Sequence, residues 1–349
     1  MGISNTYTLK VQSVIQETAD SVTLCFKQPA LKKIKYQPGQ YLTVIFNING
    51  RRYIRPYSFS SAPGIDSTLN ITVKRVPGGV VSNHIVDKIK ADDILEVFHP
   101  MGDFTLEAVH EPAGQNLVLW GVGSGITPLI SIAKHVLHNK LCRHITLVYG
   151  NRNYESVIFL KTINELLGSF PEAFAAWHFH TQAVVDENNP YLIKGRINPQ
   201  QVIDVLGTER DIQHTYHYIC GPAGLKESVK NVLATVNISS ERIFTEDFEL
   251  VRDPADFENI VTRTVELLIN NQPVELEVSK GKSILEAGLD ALIDLSYSCQ
   301  TGSCLLCKGK LLEGETKTIG ISSLPEGLEP DERLLCCSFP LTDNIKIAV

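Results

Sequence analysis

Apolar and polar residues alternate in short runs through the first third of the chain, as in "TYTLKVQSVI", "SVTLCFKQ", "QYLTVIFNI", "LNITVKRV" and "ILEVFHP". Proline, glycine and aspartate separate these runs. A period of two over five to ten residues predicts half-buried strands, and their even spacing predicts an antiparallel barrel over residues 1–110. One stretch breaks the alternation: "VSNHIVDKI" has helical periodicity. From about residue 115 the texture changes. The runs "QNLVLWGV", "HITLVYG", "AWHFHTQAV" and "TYHYICG" are apolar throughout, and "TPLISIAKHVLHNK", "ESVIFLKTINELLG" and "AGLKESVKNVLATV" between them have helical spacing. Buried strands alternating with helices predict an α/β domain with a parallel sheet over 111–250.

The segment "VRDPADFENI", 251–260, has the composition of a linker. Beyond it, "TRTVELLINNQPVELEVS" predicts a hairpin turning at Asn270, Asn271, Gln272 and Pro273, and "SILEAGLDAL" a short amphipathic helix. Residues 261–349 therefore form a third, α+β module. No internal repeat or low-complexity tract is present.

A length of 349 residues, 43% of them apolar and 20% charged, suits two or three globular domains. No apolar run approaches the ~20 residues that span a bilayer, and no export signal opens the chain, so a cytoplasmic protein is expected. Residues Met1 to Thr6 fit only a loose myristoylation pattern. The net charge of -7 is unevenly placed: residues 256–349 carry 8 Lys and Arg against 15 Asp and Glu, whereas the rest is balanced. That acidity argues against a nucleic-acid partner and suits a basic protein surface.

Eight cysteines in such a chain do not make a disulfide framework. Cys25, Cys142 and Cys220 are scattered, whereas Cys299, Cys304, Cys307, Cys336 and Cys337 crowd the last 51 residues. Cys299, Cys304 and Cys307 stand as C-x4-C-x2-C, with Cys336 and Cys337 both available as a fourth thiolate. This spacing suits a [2Fe-2S] cluster. A structural zinc site, which would make the chain a cofactor-poor interaction protein, normally offers a second close cysteine pair or histidines, and no histidine follows His217.

Two further stretches suit phosphates. In Arg55-Pro56-Tyr57-Ser58 a guanidinium, an aromatic ring and a hydroxyl follow one another, able to pair a phosphate, cover a flat heterocycle and hydrogen-bond its reactive edge. Gly79, Val80, Val81 and Ser82 open the helix predicted after Val73 and Lys74, and free N–H groups there suit a pyrophosphate, hence FAD rather than FMN. "GVGSGITP", Gly121 to Pro128, joins a buried strand to a helix, and Gly123, Ser124 and Gly125 let the backbone approach a dinucleotide.

These stretches together resemble the ferredoxin-NADP reductase superfamily with a C-terminal plant-type ferredoxin domain, over essentially the full length. The motifs are R-x-Y-S at Arg55, "GGVVSNHI", G-x-G-x-G-x-T-P over Gly121 to Pro128, "CGP" from Cys220 through Gly221 to Pro222, and "TEDFE" at 245–249. The resemblance implies that Thr127 lies near the nicotinamide or phosphates, that Cys220 borders the hydride path, and that Glu246 and Phe248 reach toward the flavin beside Ser58. It also implies a β-grasp fold for the last module and, counting back from Pro340, makes Cys336 the fourth ligand. Several relatives hold the 2'-phosphate of NADPH with a Ser-Arg pair where this chain has Thr181-Gln182. That departure favours NADH, while Arg152 offers a replacement guanidinium, so the expected donor is NAD(P)H. The likeness is greatest to oxygenase reductases of the phenylacetyl-CoA epoxidase type, which implies electron delivery to a separate metalloprotein. Reductases for a fatty-acid desaturase or a hybrid-cluster-type protein fit the same motifs.

Overall fold

The computed structural model describes residues 6–29, 33–106, 114–182, 191–209, 211–321 and 323–349. The amino-terminal myristoylation pattern, centred on Gly2, lies outside them. Among the described residues no helix is long and apolar enough to cross a membrane. The chain divides into two compact units, residues 1–48 with 56–246, and 49–55 with 247–349.

Apart from residues 51–55 of β4, the first unit begins with a six-stranded antiparallel sheet: β1 (Thr6–Thr18), β2 (Ser21–Phe26), β3 (Tyr41–Ile48), β4 (Arg51–Ser58), β5 (Leu69–Lys74) and, after helix α1 (Val80–Lys88), β6 (Ile94–Phe98). The order is β4-β3-β6-β1-β2-β5, and a bridge between Phe59 and Ile71 brings the two outer strands together, curling the sheet into a barrel.

The same unit continues as a parallel sheet covered by helices. Its elements are β7 (Asn116–Val122), α2 (Ile126–His138), β8 (His144–Asn151), α3 (Leu160–Ser169), β9 (Phe174–His180), β10 (Leu192–Lys194), α4 (Pro199–Leu206), β11 (Thr215–Cys220), α5 (Ala223–Thr235) and β12 (Ile243–Glu246). The order β10-β9-β8-β7-β11-β12 reverses direction beside β7, which creates a crevice at the carboxyl ends of β7 and β11. Trp120, Val118 and Ile219 fill one face of the sheet, and Leu117, Leu119 and Tyr218 the other. Two surfaces seal barrel to sheet. Ser131 Oγ donates to the Ser61 carbonyl at 2.6 Å, Lys134 pairs with Asp66 at 2.7 Å, and Tyr218 Oη donates to the Thr105 carbonyl at 2.9 Å. Gly39, at φ +96°, leaves no room for a side chain, since a Cβ there would lie 1.8 Å from the Phe104 carbonyl oxygen.

The helix expected from Glu155 onward starts later, at Leu160. Val157 and Ile158 are buried in the core, and Phe159 adopts a left-handed conformation (φ 62°) that interrupts the helical path.

The second unit is a β-grasp sheet with one main helix: β13 (Arg263–Ile269), β14 (Gln272–Val278), α6 (Ile284–Asp290), β15 (Lys308–Glu313), β16 (Thr316–Thr318), β17 (Glu332–Leu334), β18 (Ser338–Pro340) and β19 (Ile345–Ala348). Its five-stranded sheet runs β14-β13-β19-β15-β17, with β13 parallel to β19. The hairpin turn is tighter than its four-residue composition suggests. Asn270 and Asn271 alone turn the chain, both left-handed (φ 51° and 63°), and Ile269 already pairs with Gln272. Pro273 is accommodated because β14 is an edge strand. Helix α6 starts with a capping box: the Glu286 N–H donates to Ser283 Oγ at 3.2 Å, and the Ser283 N–H to Glu286 Oε2 at 2.7 Å.

Residues 251–260 are fastened to this unit. Arg252 forms two hydrogen bonds of 3.1 Å with Glu286 and lies over the Phe339 ring. Lys317 donates to the Asp256 carbonyl at 2.7 Å, and Ile260 is buried with Ile319 and Phe339.

Candidate functional site

At the crevice, register brings distant segments together. Strand β7 ends in a single 3-10 turn, Gly123–Gly125, before α2. Gly123 is left-handed (φ 56°), and its carbonyl accepts a 2.9 Å hydrogen bond from Tyr149 Oη. A Cβ on Gly125 would stand 2.1 Å from the Cys220 carbonyl oxygen, so this glycine lets the turn lie against the end of β11. Gly121, Cys220 and Glu246 pair in one parallel row across β7, β11 and β12. In-register residues of parallel strands share a face, so the expected Cys220 and Glu246 stand side by side at the strand ends. Gly221 and Pro222 follow, Pro222 preceding α5. Thr127 is buried and donates to the Ser124 carbonyl at 3.0 Å, so in this state its hydroxyl closes the turn.

Arg152, just past β8, reaches Asp20 Oδ2 at 3.3 Å, and Lys74 at the end of β5 approaches the same carboxylate at 3.7 Å. Burial alone would raise the Asp20 pKa, but hydrogen bonds from Thr18 and Ser21 and the two cations outweigh it and hold it below the usual value.

On the barrel, Arg55, Tyr57 and Ser58 succeed one another along β4. Ser58 is buried and Tyr57 half-buried. The Arg55 guanidinium lies 5.9 Å from the Tyr53 ring centroid and donates to the Ile54 carbonyl at 2.8 Å. Val73 is buried on β5. Helix α1 begins at Val80, after Gly79, with no side chain capping its first N–H groups; the Ser82 hydroxyl instead accepts from the Val76 N–H at 3.1 Å. Val81 is buried and Val80 exposed, so the N–H groups of the first turn remain available to an anion. The uncapped turn, the small Gly79 and the neighbouring cation Lys74 fit a pyrophosphate. Phe248 is exposed in the second unit, beyond the end of β12.

The cysteine loop folds on itself. The N–H groups of Thr301 and Cys304 donate to Cys299 Sγ at 3.3 and 3.4 Å, and the Cys299 N–H to Cys304 Sγ at 3.5 Å. Gln300, Gly302 and Leu305 are left-handed (φ 58°, 80° and 61°), which coils the backbone tightly enough to aim these donors at sulfur. The four expected ligands interact in two pairs, Cys299 with Cys304 and Cys307 with Cys336. Contact with the Cys304 thiol, the Thr301 N–H and the Ser303 and Thr301 hydroxyls lower the Cys299 pKa to about 4 despite burial. Contact with Cys336, then burial, pushes Cys307 strongly up. Among the described residues no group of three or more His, Cys, Asp or Glu converges as a single-ion site. Two thiol pairs fit the donor set of a two-iron cluster, in which each iron takes two protein sulfurs. Cys337 Sγ lies 3.5 Å from Cys336 Sγ and is fully buried.

Two features escaped sequence reasoning. A groove of about 920 Å³ runs along β9, with His178, His180 and Gln182 among its lining. The Asp20 contact with Arg152 also carries no motif; only the alternation of His178 and His180 along one strand face hinted at the first.

A glycine-rich turn at a sheet switch point, a barrel with an anion-ready helix and paired thiols in a β-grasp unit define a flavin- and nicotinamide-dependent oxidoreductase with an iron-sulfur module. Family comparison agrees: residues 8–106 match the oxidoreductase FAD-binding domain, 119–231 the oxidoreductase NAD-binding domain and 267–341 the 2Fe-2S iron-sulfur cluster binding domain. The chain is 30% identical over 358 residues to the ferredoxin reductase component of 3-ketosteroid-9-alpha-monooxygenase from Rhodococcus rhodochrous, covering 99% of this chain and 97% of that protein. It is 29% identical to a component of the 1,2-phenylacetyl-CoA epoxidase of Escherichia coli (strain K12), covering 98% and 97% respectively. The fold also matches phthalate dioxygenase reductase, with a TM-score of 0.68 at 22% identity over 99% of this chain and 98% of that one. The chain belongs to the ferredoxin-NADP reductase superfamily, in the family of reductases that carry a C-terminal plant-type ferredoxin domain.

Proposed function

We propose that this protein is the reductase component of an oxygenase system, moving electrons from NAD(P)H through FAD to a [2Fe-2S] cluster and on to a separate metalloprotein. The observation that carries this reading is the pairing of four thiols in a chain that also holds the glycine crevice. Flavin supplies the conversion of a two-electron hydride into single-electron steps. The chain's own residues position the partners. Gly123, Ser124 and Gly125 hold the nucleotide phosphates close to the backbone, and Cys220 and Glu246 flank the nicotinamide from neighbouring strands. Arg55, Lys74 and the first turn of α1 bind the flavin phosphates, while Tyr57 covers the ring and Ser58 donates a hydrogen bond to its edge. Cys299, Cys304, Cys307 and Cys336 hold the cluster, with backbone N–H groups of the loop stabilising the sulfurs.

Relatives named as monooxygenase reductase components support an oxygenase as acceptor. The acidic balance of the last 94 residues favours docking on a basic face of that partner. No disulfide joins any of the eight cysteines, which suits a reducing, cytoplasmic compartment.

Anaerobic titration with NADH or NADPH tests the reading. Purified protein is expected to show flavin and iron-sulfur absorption that bleaches together. Cys304→Ser is expected to lose iron and cytochrome reduction while its flavin still bleaches. A colourless protein, or a Cys304→Ser variant with normal iron and normal cytochrome reduction, would overturn it.

A further inference from the structure

Five thiols crowd the end of the chain, and the proposed cluster uses four of them. The fifth, Cys337, sits between β17 and β18, and its Sγ lies 3.5 Å from Cys336 Sγ. Its backbone is held from both sides. The Cys337 N–H donates to the Leu334 carbonyl at 3.0 Å, and the Cys337 carbonyl accepts from the Ile319 N–H at 2.9 Å. One residue earlier in the same turn than Cys336, the Leu335 N–H donates to the Cys307 carbonyl at 2.9 Å, which ties the turn to the cysteine loop. A Cβ on Gly302 would stand 2.9 Å from Cys337 Sγ, so this sulfur also packs against the backbone between Cys299 and Cys304.

The two adjacent cysteines therefore have different neighbours. Cys336 meets Cys307 and completes the second thiol pair, whereas Cys337 meets Gly302 and Cys336. Two irons that take two protein sulfurs each are satisfied by the two pairs. A fifth thiolate would be a buried charge with no metal to balance it. A metal-bound cysteine has given up its proton, so in the contact between Cys336 and Cys337 the remaining proton belongs to Cys337. We infer that the Cys337 thiol donates a hydrogen bond to the Cys336 sulfur and thereby raises the reduction potential of the cluster, an inference that rests on the ligand set proposed above.

The sign follows from charge. Reduction adds an electron to a centre whose negative charge is spread over its sulfurs, and a donor on one of them stabilises the reduced form more than the oxidised one. Cys336 and Cys337 are 2% and 0% exposed, so water does not take the place of this donor. Cys337 acts through Cys336 and holds no iron itself.

Redox titration of the purified holoprotein, followed by the electron paramagnetic resonance signal of the reduced cluster and accompanied by iron analysis, tests the inference. Cys337→Ala and Cys337→Val both remove the donor, the first leaving space and the second filling it, while Cys337→Ser keeps a donor. The Ala and Val variants are expected to keep their iron and to lower the ratio of reduced to oxidised cluster at a fixed potential about tenfold, or about 59 mV for one electron. Cys337→Ser should stay close to the unsubstituted protein, and the flavin midpoint should not move in any of the three. An unshifted cluster potential in an iron-loaded Ala or Val variant would overturn the inference. An equal shift in Cys337→Ser would overturn it too, because packing and not the hydrogen bond would then set the potential. Loss of iron from both Ala and Val variants would make Cys337 a ligand or a structural support and would equally overturn it, leaving the electron path in place. Unsubstituted protein without iron would instead overturn the function proposed above, and this inference with it.

Discussion

The nucleotide crevice and the cysteine loop are built in opposite ways. Gly121, Cys220 and Glu246 come from positions about 125 residues apart in the chain and meet only because β7, β11 and β12 lie in register. Three of the four thiols proposed to hold the cluster instead lie within nine residues, and their arrangement is set by left-handed turns at Gln300, Gly302 and Leu305. The crevice therefore depends on the packing of a whole sheet, whereas the loop depends on local backbone conformation. Damage to one should spread through its sheet; damage to the other should stay near the cysteines.

Gly125→Val gives the strongest test of this contrast. A side chain there meets the Cys220 carbonyl, which forces the glycine turn off the end of β11. Misplacement of about 1 Å costs on the order of 100-fold in rate, so NADH-dependent flavin reduction should fall at least that far, measured by stopped-flow absorption. Iron content should not change. Gly302→Ala is the counterpart in the loop. Its φ of 80° costs an L-residue roughly 1–2 kcal/mol, and the new Cβ would meet Ile321 and Cys337 at 2.7 and 2.9 Å. Iron per chain should drop while NADH still reduces the flavin, as shown by metal analysis beside an absorption titration.

Acid should separate the two units as well. Burial lowers the pKa of His217 to about 3, and burial with the neighbouring His180 lowers that of His178 to about 4, from 6.5 in both cases. The unfolded chain then binds protons that the folded chain does not. Stability from these groups is fully present above about pH 6.5 and is lost as pH falls toward 4 and then 3. The second unit has no histidine, and its Asp290, held below the usual carboxylate value by Lys282 and Arg51, loses its contribution only at lower pH. Both tryptophans, Trp120 and Trp177, lie in the first unit. The urea midpoint read by their fluorescence should fall between pH 6.5 and 4, while hydrogen-exchange protection in β13 to β19, taken relative to the intrinsic rate at each pH, stays level above pH 4.

The smallest expected effect lies at the segment leading into the second unit. Arg252→Ala removes two hydrogen bonds to Glu286 and the contact with Phe339. A partly exposed pair of this kind contributes about 1 kcal/mol, so the melting temperature of the cluster-bearing unit should drop by a few degrees without loss of iron. A larger loss would mean that residues 251–260 support the cluster fold itself.

Much of this was legible along the chain because its causes are short-range. Alternation at period two marks the barrel strands, and the spacing of Cys299, Cys304 and Cys307 announces paired thiolates before any fold is known. The capping box at Ser283 and Glu286 and the turn at Asn270 and Asn271 are equally local. Other features needed strand order. That Cys220 stands beside Glu246, that Arg152 turns to Asp20, and that His180 keeps a buried nitrogen facing a groove all depend on which strands become neighbours. Residue type and spacing determine local backbone preference and which chemistry is available. Only the packed sheet decides which of those groups share a face, because register is settled by burial of the whole layer and not by any one segment.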